Sequence, residues 1–369
     1  MDAKEPIIDM HDSWLVINSI QGCTNGCKYC FLQGINNNLT YPQIIVPAKE
    51  VVEKMLSYKY YDSKIPICLL PGTDAFLNDT NINYMHELLN ILDNKNISNP
   101  IILITKCLIP EIILDDLSNL TNKGKDIIVY LSYSGLTSKF EPNIKPENIR
   151  LNFKNLAARG IKIIHYYRPF IPDNSSANQI DNILDFVDNY TSVSQIGGLK
   201  LRSNIIDKIE FLDIVKTNKQ ECLEASSIWP KEAYNYFYNN YKHKHNVFQT
   251  NQCAISQVLN LPCPQFYNTL ECNEYNHCSK EQRKLCASYK KLSSKDIVEK
   301  IKILLNKLNK DINNIKIIEK DNYIILEGND LTTQDAAYLT FMTGYKVTIN
   351  SKDYKSFHSS MTNSKPFIY

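Results

Sequence analysis

The chain has 369 residues, 43% of them hydrophobic, and 41 Lys and Arg stand against 39 Asp and Glu for a net charge of +2. That length accommodates one large α/β domain plus an appendage, and the charge balance excludes a nucleic-acid surface spread over the whole molecule while leaving room for a local basic patch. No apolar run approaches a membrane span and the N-terminal stretch has no apolar core behind a basic head, so a cytoplasmic protein is expected.

In chain order, the first predicted strand is WLVINSI (14–20), followed at once by GCTNGCKYCF (22–31). Amphipathic helices are predicted over 47–59, 80–93, 109–121, 145–159 and 176–190. Between them lie strand-length apolar runs: IPICLL (65–70), IILITK (101–106), IIVYLSY (127–133), IKIIHYY (161–167) and SQIGGLKL (194–201). Alternating strands and helices of this kind form a parallel sheet, and six such units predict a partial (β/α)6 TIM-like barrel. Chemistry in such sheets gathers at the carboxyl ends of the strands. The cysteine loop follows the first strand, Gly72, Thr73 and Asp74 follow the second, and Lys106 closes the third. Ser132 and Ser134 close the fourth and Arg168 the fifth. Taken singly, Ser and Asp suit helix caps and Lys suits a solvated end. Their agreement at one rim is the stronger signal.

Cys23, Cys27 and Cys30 have C-x3-C-x2-C spacing, which brings three thiolates to one iron–sulfur cluster from a single loop and leaves the fourth iron without a protein ligand. Zinc sites draw on two separated cysteine pairs or add histidines, and no second pair lies near Cys30. The chain has eleven cysteines. Five of them, Cys253, Cys263, Cys272, Cys278 and Cys286, form a second group with gaps that fit no zinc ribbon. An auxiliary [4Fe–4S] cluster on Cys253, Cys272, Cys278 and Cys286 is expected there, with zinc or plain thiols as alternatives and Cys263, between two prolines, as the spare. His277 is a possible substitute ligand.

The remainder predicts a small α+β unit: helix 295–308, strands 314–318 and 322–327, helix 331–343 and strand 345–349. The expected organisation is a barrel over 1–205, a linker with the cysteine-rich metal region over 206–290, and the α+β domain over 291–369. The stretch YNYFYNNYKHKHN (234–246) mixes Tyr with Lys and His as base-stacking surfaces do, but an amphipathic helix packing its tyrosines on the barrel explains it better.

These motifs resemble the radical S-adenosylmethionine (SAM) superfamily, in the branch related to spore photoproduct lyase, also called DNA-repair-photolyase-like. The matching stretches, in order, are GCTNGCKYCF (22–31), LPGTDAF (70–76), ITKCLIPE (104–111), VYLSYSG (129–135), FEPNIKPENIR (140–150) and GIKIIHYYRPFIPDN (160–174). The resemblance implies a [4Fe–4S] cluster on Cys23, Cys27 and Cys30 whose open iron takes the amino nitrogen and carboxylate of SAM. It places Gly72, Thr73 and Asp74 at that amino group, Lys106 and Ser132 at the carboxylate, Tyr29 beside adenine, and Arg168 at SAM or substrate. The lyase's hydrogen-donor cysteine is missing, since Pro71 and Gly72 stand in its place. Cys68 and Cys107 are the remaining candidate donors, though a small core thiol is the commoner role for each.

The implied function is reductive cleavage of SAM to a 5′-deoxyadenosyl radical that abstracts hydrogen from a small molecule or peptide, with electrons from a flavodoxin or ferredoxin. Nucleic-acid modification is the alternative substrate class, and a non-catalytic metal scaffold is the third reading.

Overall fold

The computed structural model describes residues 6–34, 41–203, 205–239, 245–263, 279–288, 293–320, 323–349 and 366–369. The strands of its first two-thirds are β1 (Ile8–Met10), β2 (Leu15–Ile17), β3 (Ile20–Gln21), β4 (Gln43–Ile44), β5 (Ile67–Leu69), β6 (Ile101–Thr105), β7 (Ile127–Leu131), β8 (Lys162–Phe170), β9 (Val193–Gly198), β10 (Ile228–Trp229) and β11 (Asn246–Phe248). Eight of them make one sheet in the order β1-β2-β5-β6-β7-β8-β9-β11. Only β1 is antiparallel to its neighbour; the other seven run parallel.

Between the parallel strands come α1 (Ala48–Leu56), α2 (Asp79–Asn94), α3 (Glu111–Asn122), α4 (Pro146–Ala158) and α5 (Ala177–Val187), close to the predicted segments. Ile127, Val129 and Leu131 of β7 face this helical layer, while Ile128 and Tyr130 face the opposite side, as the two-residue strand period requires. Both faces are covered, which is why β6 and β7 read as unbroken apolar runs.

The first predicted strand is shorter than expected. At Asn18 the strand ends: its backbone N–H still donates to Ile7 O, but its side-chain oxygen accepts the Gly72 N–H at 3.0 Å. Ile20–Gln21 then pairs with β4 instead.

After β9 come α6 (Asp213–Thr217), α7 (Lys219–Glu224), α8 (Lys231–Tyr238) and α9 (Asn251–Leu259). The sheet therefore continues into the stretch read as linker, because β11 pairs with β9 and α9 follows it. Ala254 and Ile255 of α9 lie with Val16, Cys68, Ile102, Ile128 and Tyr130 in one buried cluster on the sheet's second face. In α8, Tyr236 and Phe237 are buried and Tyr234 and Tyr238 pack against the core, so these aromatics serve the fold; residues 240–244 of that stretch lie outside the described residues.

Further on are α10 (Lys280–Ser288), α11 (Ser294–Lys307), β12 (Lys316–Glu319), β13 (Tyr323–Glu327), α12 (Thr333–Thr343) and β14 (Lys346–Ile349), with β12–β14 in a three-stranded sheet. This unit leans on the main core through Tyr60, whose hydroxyl donates to Asp335 at 2.7 Å. The final β15 (Phe367–Ile368) pairs with β10. No helix among the described residues is long and apolar enough to cross a membrane.

A buried polar chain ties β8, β9 and β11 to the end of α5. Burial pushes the His165 pKa down to about 3, so its ring is neutral. Its Nε2–H donates to Tyr133 O at 2.8 Å, leaving Nδ1 to accept from the Ser194 hydroxyl at 2.8 Å. Ser194 oxygen in turn accepts from His245 Nε2 at 2.7 Å, and His245 Nδ1 meets the Asp188 carboxylate.

Candidate SAM and iron–sulfur site

The cysteine loop lies at the carboxyl end of β2, beside the loops that follow β5, β6 and β7. Gly22 and Gly26 take φ of 103° and 67°, a backbone region that costs other residues but not glycine, and they let the chain double back within ten residues. Two hydrogen bonds join it to the Gly72 loop: Gly22 N–H donates to Gly72 O at 3.3 Å, and Gly72 N–H donates to Asn18. A Cβ on Gly72 would stand 3.0 Å from Asn18 Oδ1, so a larger residue there would have to push the Asn18 side chain aside by a few tenths of an ångström. On the other side, Lys28 N–H donates to Phe140 O and Asn143 Nδ2 to Thr24 O.

Cys27 is buried, and Cys23 and Cys30 are partly exposed. Burial pushes Cys23 and Cys27 up to about 12 and Cys30 to about 11; Asp74 and Cys30 push Cys23 further, while Lys106 pulls Cys27 and Cys30 back. Such thiols hold their protons until a cation compensates the thiolate charge. Among the described residues no three His, Cys, Asp or Glu side chains gather around one point as a single ion demands. A cubane instead spreads its cysteines over separate irons, and three mutually interacting thiols on one loop suit it.

Asp74 is buried and heavily engaged. Its Oδ1 accepts from Thr105 Oγ1 at 2.7 Å and Phe76 N–H at 3.2 Å; its Oδ2 accepts from Lys106 N–H at 2.8 Å and, more distantly, Asn25 Nδ2 at 3.5 Å. A carboxylate offers about four lone-pair positions, so an ammonium would enter by replacing Asn25, the longest bond. Thr73 is buried and accepts from Asn81.

Lys106 Nζ donates to Ser132 O at 3.0 Å and to Glu141 Oε1 at 2.8 Å. An ammonium carries three N–H groups, so one remains for a ligand. Glu141 also receives the Ser134 hydroxyl at 2.9 Å and the Tyr29 hydroxyl. Burial and the adjacent Glu141 push the Tyr29 phenol well up, keeping it a donor. Glu141 is the residue that sequence reasoning missed. It lies in the matching stretch FEPNIKPENIR, yet nothing local to it reveals a shared partner for β6, β7 and the cysteine loop.

The other predicted residues divide. Ser132 is buried at the rim, and its carbonyl is the acceptor for Lys106. The Arg168 guanidinium stacks over Tyr166 at 4.9 Å and lies beside Lys200, whose pKa falls to about 7 through burial, Arg168 and Arg202, against the opposing pull of Asp12. Cys107 faces Asn25 of the cysteine loop, with Asn25 Nδ2 3.7 Å from its sulfur. Cys68 is fully enclosed among the second-face residues with Val16 and Ile102, not open to the rim.

Of the four expected auxiliary ligands, Cys272 and Cys278 lie outside the described residues, as does His277. Cys263 is no spare. Its sulfur is 3.4 Å from Cys253 Sγ, because the left-handed Asn260 turns the chain back after α9.

No family model and no curated protein matches this sequence. Among solved structures, similar folds include spore photoproduct lyase with bound AdoMet and dinucleoside spore photoproduct (13% identity, 56% of this chain, 61% of that chain, TM-score 0.44). SuiB of Streptococcus suis bound to S-adenosylmethionine is 18% identical over 69% of this chain and 55% of that one, with a TM-score of 0.44. A radical SAM methyltransferase from Sphaerobacter thermophilus is 14% identical over 56% and 65%, with a TM-score of 0.37. The chain thus spans about 55–65% of these proteins' lengths. At these levels of similarity the function must be argued from this chain's own residues.

Proposed function

We propose that this protein is a radical SAM enzyme whose Cys23, Cys27 and Cys30 hold a [4Fe–4S] cluster. The observation that carries this reading is the placement of three thiols, Cys27 buried and Cys23 and Cys30 partly so, on one loop at the carboxyl edge of a parallel sheet, near Asp74 and Lys106. The bound cluster would supply one electron to the sulfonium of SAM, the step that yields a 5′-deoxyadenosyl radical. This chain's residues bind and orient. The spare Lys106 N–H and the Ser132 hydroxyl would hold the SAM carboxylate, with Gly72, Thr73 and Asp74 near its ammonium and Tyr29 at the adenine side. Glu141 keeps Lys106 charged and aimed.

We read the sheet as a partial barrel. The Trp14 and Tyr130 rings meet at 5.8 Å although their strands are three places apart, about 14 Å in a flat sheet, which favours a curled one. With α9 filling part of the concave face, a small molecule or compact peptide at the rim is the substrate class favoured here, and a flavodoxin-like or ferredoxin-like protein is the natural electron source.

The test is SAM cleavage under anaerobic conditions with a strong reductant. Wild-type protein is expected to release methionine and 5′-deoxyadenosine, and Cys27→Ala to release none. Cleavage at the wild-type rate by a variant shown to lack the cluster would overturn the proposal.

A further inference from the structure

The carboxyl end of the sheet carries a second set of charged groups that the proposed SAM contacts leave unused. Tyr166 lies on the sheet's second face, where its ring meets Tyr130 at 5.3 Å. The Arg168 guanidinium stacks on the Tyr166 ring at 4.9 Å, so Arg168 shares that face, one step nearer the rim. Its side chain runs beside Gly197 of β9, where a Cβ would stand 3.8 Å from Arg168 Cδ. The pairing of β8 with β9 is irregular between Tyr167 and Phe170, a local break of the kind that re-aims a side chain. Arg202 approaches from the cysteine loop. Its guanidinium stacks over Phe31 at 4.6 Å, and Phe31 directly follows Cys30. Half-buried Lys200 feels both guanidinium charges, with Asp12 pulling the other way.

Cations gathered at one rim are held most favourably when an anion joins them, and the guanidinium fork matches two oxygens of one carboxylate or phosphate. Arg168 makes no hydrogen bond or ion pair among the described residues, which leaves its N–H fork to a ligand. We propose that Arg168, together with Lys200 and Arg202, binds an anionic oxygen group of a small-molecule substrate, a phosphate or a carboxylate, and so holds the rest of that molecule near the cysteine loop. The use made of the bound molecule rests on the radical SAM function proposed above. Anion binding itself requires neither cluster nor SAM.

The test treats full-length protein, without SAM, with an arginine-selective dicarbonyl and reads each arginine by mass spectrometry. Inorganic phosphate and succinate are the probes, with chloride at matched ionic strength as the control. Modification of Arg168 is expected to slow about tenfold at a probe concentration about ten times its dissociation constant. Arg150 and Arg159, which belong to the helical layer, should react at an unchanged rate. Protection by phosphate alone marks a phosphorylated substrate and protection by succinate alone a carboxylate; either supports the site. Arg168→Met should abolish protection of Arg202 by the same probe, and the wild-type result stands by itself if that variant fails to fold. An Arg168 that does not react in chloride, that reacts equally with and without the probes, or that is protected only by SAM or only by an oligonucleotide would overturn the assignment. Protection in a protein that never cleaves SAM would sink the function proposed above and leave this site standing; cleavage of SAM with Arg168 unprotected would do the reverse.

Discussion

At the scale of single residues, Glu141 decides how the rim is held. Its oxygen collects Lys106, Ser134 and Tyr29, and the side chains of both Glu141 and Lys106 are largely withdrawn from water, at 4% and 13% exposure. Removing one partner of a shielded ion pair leaves the other charge uncompensated, at a cost of about 3–5 kcal/mol. Glu141→Ala should therefore lower the unfolding free energy by that amount in urea. Glu141→Gln keeps an acceptor and should cost less, about 1–3 kcal/mol. Two variants within about 0.5 kcal/mol of wild type, the range of an ordinary surface substitution, would show that the pair is not the anchor described. The three N-terminal cysteines were readable from spacing because their chemistry is local. Glu141 was not, since its meaning depends on partners from β6 and β7 that only the fold assembles. The approach of Cys263 to Cys253 was not legible for a related reason: flanking prolines suggest a rigid spacer, and the left-handed Asn260 that returns the chain has no spacing signature.

At the scale of elements, β6 and β7 were legible because both faces are buried and their sequences are continuously apolar. β1 and β11, three residues each, lie below the length at which periodicity speaks. The role of α9 was hidden as well, since Gln252 and Ser256 are buried alongside Ala254 and Ile255 and blur its apolar stripe. The polar chain through His165 carries a pH consequence. Its folded pKa of about 3 lies below the ordinary value of 6.5, so between those values the unfolded chain binds the extra proton. Stability should fall as pH drops through this window, by roughly 1.4 kcal/mol per pH unit from this group, and level off below its folded pKa. His165→Asn should flatten the dependence of Tm on pH between about 6 and 4 relative to wild type. An unchanged slope would mean that His165 already carries its proton in the fold.

At the scale of the molecule, the alternating pattern foretold the parallel sheet. What it could not foretell was the continuation past residue 205, where β11 adds a strand and α9 covers the second face. The account as a whole stands on the thiol loop at the rim. The most direct measurement is low-temperature electron paramagnetic resonance of anaerobically reconstituted, chemically reduced protein, with and without SAM. A spin-half iron–sulfur signal that changes its g-values when SAM is added, and that Cys27→Ala abolishes, is the predicted result. A reduced protein whose signal ignores SAM, or that binds no iron while Cys23, Cys27 and Cys30 all titrate as free thiols, would contradict it.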